Sequence, residues 1–500
     1  MNGKVNRGAD ADANARDAGA MPRYIVGMDA HSRKVSLCVA EYRYGQDPKI
    51  LRELGDVALE SLETTYKNKV PTDSVTVIEA STNSFSIARR LRRIGYDARV
   101  VVSDILGGLS RKDRINDRID ASRLAVAYAR FGATRDQVLV PSPRFMAYRD
   151  VFFAYRNAVK DLTRDSNRIW SFCSAHGLPL PKRRRDRKVE DVKAHADKAG
   201  LEECSMFHLD DLLAEYKHAL ERRDRLHRKI SETVAREPVM TRLLQIPGVA
   251  AVTAFALAAF VEDVRRFATP EKLVAYVGLN PTVSESGEGK SPDKLSRYGQ
   301  KNLKTLFAEV GQSLLRRSTG CGISRWARAK LAAGKPYAAM VIAAGRKALV
   351  YAWHDMMGHP TPDRESEALF RSKLRKIYKE IGAAAPSATG HADPAGYVAA
   401  VADPLYAHLP PKAKTPPKPR SRRAKRDDAA GPTPPPPQAA AQPGRTGGRP
   451  APAGFGASPL LSGACEGTPR QAGNAEAGAS ERDPAPIGSA DRPSPASRGN

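Results

Sequence analysis

The segments YIVGMD (24–29) and VSLCVAEY (35–42) decide the fold at the start of this chain. In the first, an apolar run leads into an acid, and in the second apolar residues alternate with small or polar ones. Both patterns predict β-strands. His31 falls between them, and we interpret it as a turn residue and not as a metal ligand.

Further strands and helices follow in an order that is typical of a mixed sheet with flanking helices. A third strand is predicted around residues 51–57, and VTVIEA (75–80) and ARVVV (98–102) are short strand-like segments, the first again reaching an acid. Apolar residues recur at helical spacing over 84–95 and again from Asp117 onward. We predict the order β-β-β-α-β-α-β-α, in which a further helix lies between the third strand and VTVIEA.

The middle of the chain, residues 142–236, is predicted to be mostly helical. Phe145 to Trp170 forms one long segment, and Leu212 to Arg236 forms a second one that is dense in charged residues. Between them, KRRRDRK (182–188) is predicted to be an exposed loop. Charged helices of this kind form a coiled-coil pair or a solvated face, and they could also mediate dimerisation or bind nucleic acid.

Composition and pattern divide the chain into five parts. From Pro410 onward Pro, Gly, Ala and Arg dominate, so this end of the chain cannot bury enough apolar surface to fold. The predicted parts are a disordered extension (1–20), an α/β domain (21–140), a helical coiled-coil linker (141–238), a mostly α-helical domain (239–382) and a disordered tail (383–500).

Charge and cysteine usage narrow the functional classes. A net charge of +26, from 81 Lys and Arg against 55 Asp and Glu, points to nucleic acid as partner, the alternative being a solvated basic surface with a basic tail. The five cysteines form no CxxC motif, which argues against a zinc site and a disulfide framework. No apolar run reaches the length of a membrane span, and we expect a cytoplasmic protein.

Four acids occupy positions where carboxylates can converge. Asp29 and Glu79 end predicted strands, and Asp117 and Asp120 open a predicted helix, where residues three apart share a face. Converging carboxylates repel each other unless cations lie between them, and Mg²⁺ or Mn²⁺ prefers such oxygen ligands. Two ions of this kind can stabilise the attacking and leaving oxygens of a phosphodiester displacement.

Each acid also has a purely structural interpretation. Asp117 could be a helix N-cap, Glu79 a surface residue at a strand end, and Asp29 part of a turn. Asp104 and Asp113 are nearby acids that spacing alone does not exclude. It is the combination of four acids in an RNase H-like strand order that favours a metal site.

The stretch GLNPTVSESGEGKSPDKLSRYGQKNLK (278–304) is predicted to be a surface loop, because it is rich in Gly and Pro. Its cations suit a phosphate backbone. They are Lys290, Lys294, Arg297, Lys301 and Lys304. Upstream, QIPGV (245–249) before a small-residue helix resembles the start of a helix-hairpin-helix motif. There Gly248 would help to present backbone N–H groups to a phosphate, and an ordinary turn is the equal alternative.

Several motifs resemble those of the DEDD transposases of insertion-sequence family one-ten. They are VGMDAHSRK (26–34), VIEAS (77–81), DRIDASRLA (117–125), LLQIPGV (243–249), FATPEKLVAYVGLNPTVSESGEGK (267–290) and SRYGQKNLKTLF (296–307). The resemblance covers roughly residues 23–380 in the same order. The chain departs from the family at residues 115–117, where Ile-Asn-Asp replaces the usual Lys-Thr-Asp or Lys-Ser-Asp, and it keeps both acids.

This resemblance implies an RNase H-like (RuvC-like) nuclease domain followed by a transposase domain. Its DEDD set, which holds the metal, falls on Asp29, Glu79, Asp117 and Asp120. The nucleophile of its Ser-Gly motif falls on Ser286, with Ser284 and Ser291 as neighbouring alternatives. The implied partners are donor and target double-stranded DNA, a structured bridge RNA and further copies of the chain, as a dimer or tetramer associated with the bacterial nucleoid.

Three functions remain open at this level. The leading one is an RNA-guided DNA recombinase that cuts and rejoins strands. The second is a metal-dependent, structure-selective nuclease such as a junction resolvase, which would use the acids and need no serine. The third is a non-enzymatic nucleic-acid-binding protein in which the acids are structural.

Overall fold

The computed structural model describes residues 23–43, 46–102, 117–131, 137–179, 189–282, 285–286, 289–290, 294–316, 320–359, 361 and 363–407. Several residues named above therefore lie outside the described residues. These are the extension 1–20, the basic segment 182–188, the alternatives Asp104, Asp113, Ser284 and Ser291, the departure at Ile115 and Asn116, and the tail beyond residue 407.

A six-stranded mixed sheet forms the N-terminal part, as the alternating sequence pattern predicts. The strand order across the sheet is β3-β2-β1-β4-β5-β6. Strand β1 is antiparallel to β2 and parallel to β4, which is parallel to β5. The strands are β1 (Tyr24–Ala30), β2 (Lys34–Glu41), β3 (Lys49–Ala58), β4 (Ser74–Glu79), β5 (Asp97–Val101) and β6 (Gln137–Val138). With the helices between them, the predicted order β-β-β-α-β-α-β-α is confirmed.

Helices cover both faces of this sheet. Because successive side chains of a strand point to opposite faces, Val26 and Met28 pack on one side and Ile25 on the other. The first side carries α1 (Leu62–Lys69) and α2 (Ser84–Arg93), and the second carries α3 (Asp117–Phe131).

Gly27 allows α3 to lie almost directly on β1. A Cβ atom at this position would stand 1.9 Å from the carbonyl oxygen of Ala121 and 2.8 Å from the amide nitrogen of Ala125. No side chain fits in that space, so a glycine is required where helix and strand touch. The contact sets where the first turn of α3 lies relative to the end of β1.

A pair of long helices follows the sheet. They are α4 (Pro143–Ala175) and α6 (Glu203–Arg236), each about 50 Å long at 1.5 Å per residue. The pair packs side by side, and the ion pair between Arg168 and Glu215 joins the two helices. Both predicted segments are confirmed, although α6 begins nine residues earlier than expected and the short helix α5 (Glu190–Ala199) was not predicted.

The C-terminal helices enclose the largest apolar core of the described chain. Its centre is α8, in which ten of eleven residues are buried. Phe152 of α4 and Ile230 of α6 belong to the same core, so the long helical pair is rooted in it. The helices are α7 (Pro238–Leu243), α8 (Ala251–Val261), α9 (Pro270–Val277), α10 (Lys301–Arg316), α11 (Gly322–Ala332), α12 (Tyr337–Met356), α13 (Glu367–Ile381), α14 (Ala385–Thr389) and α15 (Pro394–Tyr406).

The folded region extends beyond the boundary predicted at residue 382. Residues 383–407 were expected to belong to a disordered tail, yet they include α14 and α15. Tyr397, Val398 and Ala402 of α15 are buried in the core, and the hydroxyl of Tyr406 donates to the carbonyl of Glu365 at 3.0 Å. The alanine-rich composition concealed an amphipathic helix. Among the described helices, none has the combination of length and apolarity needed to cross a membrane.

Candidate functional site

Asp29 and Glu79 end adjacent strands of the sheet, and Asp120 lies in the first turn of the helix that packs on β1. In the parallel register of β1 and β4, Met28 lies beside Ile78, so Asp29 and Glu79 follow at the same level on adjacent strands. Asp29 lies an even number of residues from Ile25, and Glu79 from Val77, so both acids belong to the face that packs against α3. Asp120 directly precedes Ala121, the residue against which Gly27 packs. The predicted convergence of Asp29, Glu79 and Asp120 therefore has a basis in the sheet register and in the Gly27 contact.

Asp29 and Asp120 have protein partners in this structure. The Nε2 atom of His31 lies 3.2 Å from Oδ2 of Asp29, and the carbonyl of His31 accepts from Asn83 Nδ2 at 2.6 Å. Asp120 lies 3.8 Å from the guanidinium of Arg123. Among the described side chains, no three acids, histidines or cysteines are close enough together to bind one ion. The side chain of Asp117, at the start of α3, lies outside the described residues.

Ser286 lies on a β-hairpin where the sequence predicted a loop. Strands β7 (Pro281–Thr282) and β10 (Lys294–Leu295) pair antiparallel, and β8 (Glu285–Ser286) pairs with β9 (Gly289–Lys290) inside them. Ser286 lies opposite Gly289, in the innermost pair. Two nested pairings of this kind form one arm with Ser286 near its tip. The side chains of Ser286, Lys290 and Lys294 lie outside the described residues.

Lys304 holds the base of this hairpin. The amide of Ser296 donates to the carbonyl of Asn280 at 3.1 Å, and Lys304 Nζ donates to the carbonyl of Ser296 at 2.5 Å. Of the cations predicted to bind nucleic acid, Lys304 thus has a structural role here. Arg297 and Lys301 are exposed and remain available to a phosphate.

Gly248 has a packing reason to be glycine. Its φ of +82° is in the left-handed region, and a Cβ atom would lie 3.0 Å from Val310 Cγ1 of α10. Helix α8 begins just after it, at Ala251, without a side-chain cap. The predicted contact between this turn and a phosphate stays a prediction.

Lys373, on α13, forms hydrogen bonds with the turn that contains Gly248. Lys373 Nζ donates to the carbonyls of Leu244 and Val249, at 2.8 and 2.9 Å, and lies 2.9 Å from the carboxylate of Glu365. Burial lowers the pKa of Lys373, while the carboxylate opposes that shift. The turn is therefore held in one shape by a buried charged group.

Tyr298 is a candidate binding residue that the sequence reasoning missed. Its side chain is 76% exposed, in the same basic stretch as Arg297 and Lys301. The sequence signal was an aromatic residue flanked by cations, which is typical of protein surfaces that bind nucleic acid.

Comparisons with known proteins show which proteins this chain is similar to. Residues 240–327 match the sequence model of the Transposase IS116/IS110/IS902 family. The "Probable family 20 transposase" of Pseudomonas aeruginosa is 26% identical over 246 residues, which cover 48% of this chain and 70% of that protein. The transposase for insertion sequence element IS1328 of Yersinia enterocolitica is 21% identical over 251 residues, 49% of this chain and 71% of that protein.

The chain is thus similar to transposases of insertion sequences, and the resemblance drawn from its motifs is confirmed at that level. The matched part runs from α7 to α11 and includes the hairpin that carries Ser286, the turn at Gly248 and the exposed Tyr298.

Proposed function

We propose that this protein is the recombinase of a mobile insertion sequence, which cuts and rejoins DNA under the guidance of a bridge RNA. The observation that carries the proposal is that Asp29 and Glu79 end adjacent parallel strands and Asp120 lies on the helix packed against one of them, in a chain whose residues 240–327 match a transposase family.

The sheet supports an RNase H-like nuclease domain. The support is a strand order of 3-2-1-4-5 across the sheet, with β1 antiparallel to β2 and parallel to β4. In such a domain the ends of β1 and β4 and one flanking helix supply the catalytic acids. Here these are the positions of Asp29, Glu79 and α3.

The donor chemistry of this edge fits Mg²⁺ or Mn²⁺. Carboxylate oxygens are the ligands these ions prefer, and Asp29, Glu79, Asp117 and Asp120 would hold them. When bound, such ions stabilise charge on the attacking and leaving oxygens of a phosphodiester. Arg123 stands beside Asp120 and would partly offset the repulsion among the acids before an ion arrives.

Ser286 is the proposed nucleophile. Its Oγ would form a bond to the phosphorus of the DNA backbone while the bond from phosphorus to the leaving sugar oxygen breaks. The serine loses one proton and the leaving DNA hydroxyl gains one, so the step is balanced without a further reactant. The phosphoserine ester conserves the phosphodiester energy, and rejoining by the reverse reaction needs no ATP.

The proposal that the protein acts as an oligomer follows from the separation of the acids from Ser286. The acids lie on the sheet, and Ser286 lies on a hairpin arm of the C-terminal helical region. A nucleophile and its catalytic groups must be held together to react, and in an oligomer the arm of one copy can reach the acids of another.

A suicide DNA substrate, in which the cleaved strand cannot be rejoined, tests this proposal. We expect a covalent adduct on the peptide that contains Ser286, formed with Mg²⁺ or Mn²⁺ and lost in chelator. Asp29→Asn and Ser286→Ala should each abolish the adduct, while RNA and DNA binding persist. Full activity in chelator would contradict the metal site, and an adduct on Ser284, Ser291 or a tyrosine would contradict the assigned nucleophile.

The same experiment separates the alternatives. Metal-dependent cutting that survives Ser286→Ala without any covalent species would identify a resolvase-like nuclease. Binding without cutting, unchanged by Asp29→Asn, would identify a non-enzymatic nucleic-acid-binding protein.

A further inference from the structure

Tyr298 is one of two aromatic residues of the described chain that are more than three-quarters exposed, the other being Phe207. The side chain of Tyr298 is 76% exposed, whereas the cores bury most other large aromatic rings. Among the described residues it stacks on no other ring and lies under no cation. An exposed apolar ring has an unfavourable contact with water that a flat partner would remove.

The backbone on both sides of Tyr298 is fixed. Its amide donates to the hydroxyl of buried Ser296 at 3.2 Å. Its carbonyl packs so tightly against Gly278 that a Cβ atom there would stand 2.2 Å from the oxygen. A Cβ atom at Gly299 would likewise stand only 2.6 Å from the amide nitrogen of Gly278. Because the backbone of Tyr298 is held in place, binding a partner would cost little backbone entropy at this residue.

The surroundings of Tyr298 are cationic. Arg297 precedes it, Lys301 follows three residues later, and both are exposed. A ring between cations suits a nucleotide, whose phosphate meets the charges while its base stacks on the ring. In an intact duplex the faces of the bases are covered by their neighbours, so the ring fits a base that has left the stack.

We infer that Tyr298 stacks on an unpaired base of the DNA strand that the hairpin engages. DNA is favoured over RNA because Tyr298 lies three residues beyond β10, the strand that closes the arm carrying Ser286. The inference rests on the proposed function, in which that arm attacks DNA. Tyr298 would act as a positioning residue that holds the strand at the base of the arm.

Fluorescence anisotropy with the full-length chain and a labelled single-stranded DNA oligonucleotide tests the inference. Tyr298→Ala should weaken binding roughly 5- to 150-fold, the range that stacking on one base covers. Tyr298→Phe keeps the ring and should bind within about twofold of the wild type. The matched control is Phe207→Ala, which removes a ring that is 78% exposed on α6, away from the hairpin, and should change nothing.

Salt dependence separates stacking from charge. Tyr298→Ala should lower affinity at every salt concentration with an unchanged slope of log K against log salt, because stacking releases no counterion. Arg297→Ala should reduce the slope by about 0.7, the value for one phosphate contact on a single strand.

Four results would overturn the inference. Equal affinity of Tyr298→Ala and wild type would do so while leaving the proposed function intact. A matching loss in Tyr298→Phe would mean that the hydroxyl and not the ring matters. If Tyr298→Ala lost affinity for RNA of the same sequence but not for DNA, Tyr298 would be assigned to binding the guide RNA. Failure of the wild type to bind any DNA would remove the proposed function itself.

Discussion

At the scale of single residues, Gly27 sets how closely α3 approaches β1. It lies two residues before Asp29, and its missing side chain is the space into which the backbone of α3 fits. A displacement of α3 would move Asp120, which the proposed function assigns to the metal site with Asp29 and Glu79. A residue without chemistry of its own thus controls the position of a proposed metal ligand.

Gly27→Ala should therefore destabilise the protein and remove catalysis together. The added Cβ would stand 1.9 Å from a backbone oxygen, which cannot give way as a flexible side chain can. We expect a loss of about 1–3 kcal/mol in unfolding free energy, measured by urea denaturation, with adduct formation abolished.

Gly396→Ala is the matched control for that substitution. Its added Cβ would be no closer than 3.5 Å to Asp393, and it lies inside α15, where alanine is a better helix former by up to about 1 kcal/mol. Its stability should equal or exceed that of the wild type. Retained adduct formation in Gly27→Ala would show that the position of α3 is not critical for the acids.

At the scale of elements, the strands and helices with a regular sequence pattern were predicted correctly, whereas the irregular hairpin was not. The strands β1 to β5 and helices α4 and α6 were predictable, because periodic burial leaves a periodic sequence. The hairpin at Ser286 was missed because its strands are two residues long and rich in Gly and Pro. The acids could be named from strand ends, whereas the contact of Asp29 with His31 depends on side-chain positions that no spacing encodes.

The turn before α8 gives a prediction at this scale. Lys373→Met should lower the unfolding free energy by about 3 kcal/mol, because it leaves Glu365, whose side chain is only 4% exposed, without its cation and frees two carbonyls. Lys376→Met on the same helix is the control. Its side chain is 77% exposed and its pair with Glu380 spans 3.7 Å, so the change should stay below about 1 kcal/mol.

The double variant Lys373→Met, Glu365→Gln tests the cause. Removing both charges should recover part of the lost stability in the same urea titration, since no unpaired buried charge remains. A double variant less stable than Lys373→Met alone would show that the carbonyl contacts, and not the uncompensated carboxylate, dominate.

At the scale of the whole molecule, the net charge of +26 governs how the protein meets DNA. Contacts to phosphates supply affinity without sequence information. RNA-free protein should bind any duplex with similar affinity, and log K should fall linearly with log salt, by about 0.9 for each phosphate contacted. Electrophoretic mobility shifts across a salt series would measure this.

Guidance is tested by adding RNA back. A structured transcript from the DNA flanking the gene should create preference for one site, whereas an unrelated RNA of equal length should not. Tight, site-specific binding by the RNA-free protein would contradict guidance, because recognition would then belong to the polypeptide.

The C-terminal core has a consequence for synthesis. It joins Phe152 on α4 to Ala402 on α15, so it cannot close until the ribosome has released nearly all of the described chain. Until then α13 lacks α15, the helix that packs against it. A copy of the gene interrupted before the codon for Tyr397 would encode a polypeptide with the apolar surface of α13 open to proteases. Decay of the coding sequence from its 3′ side should therefore eliminate the protein itself, not merely its activity.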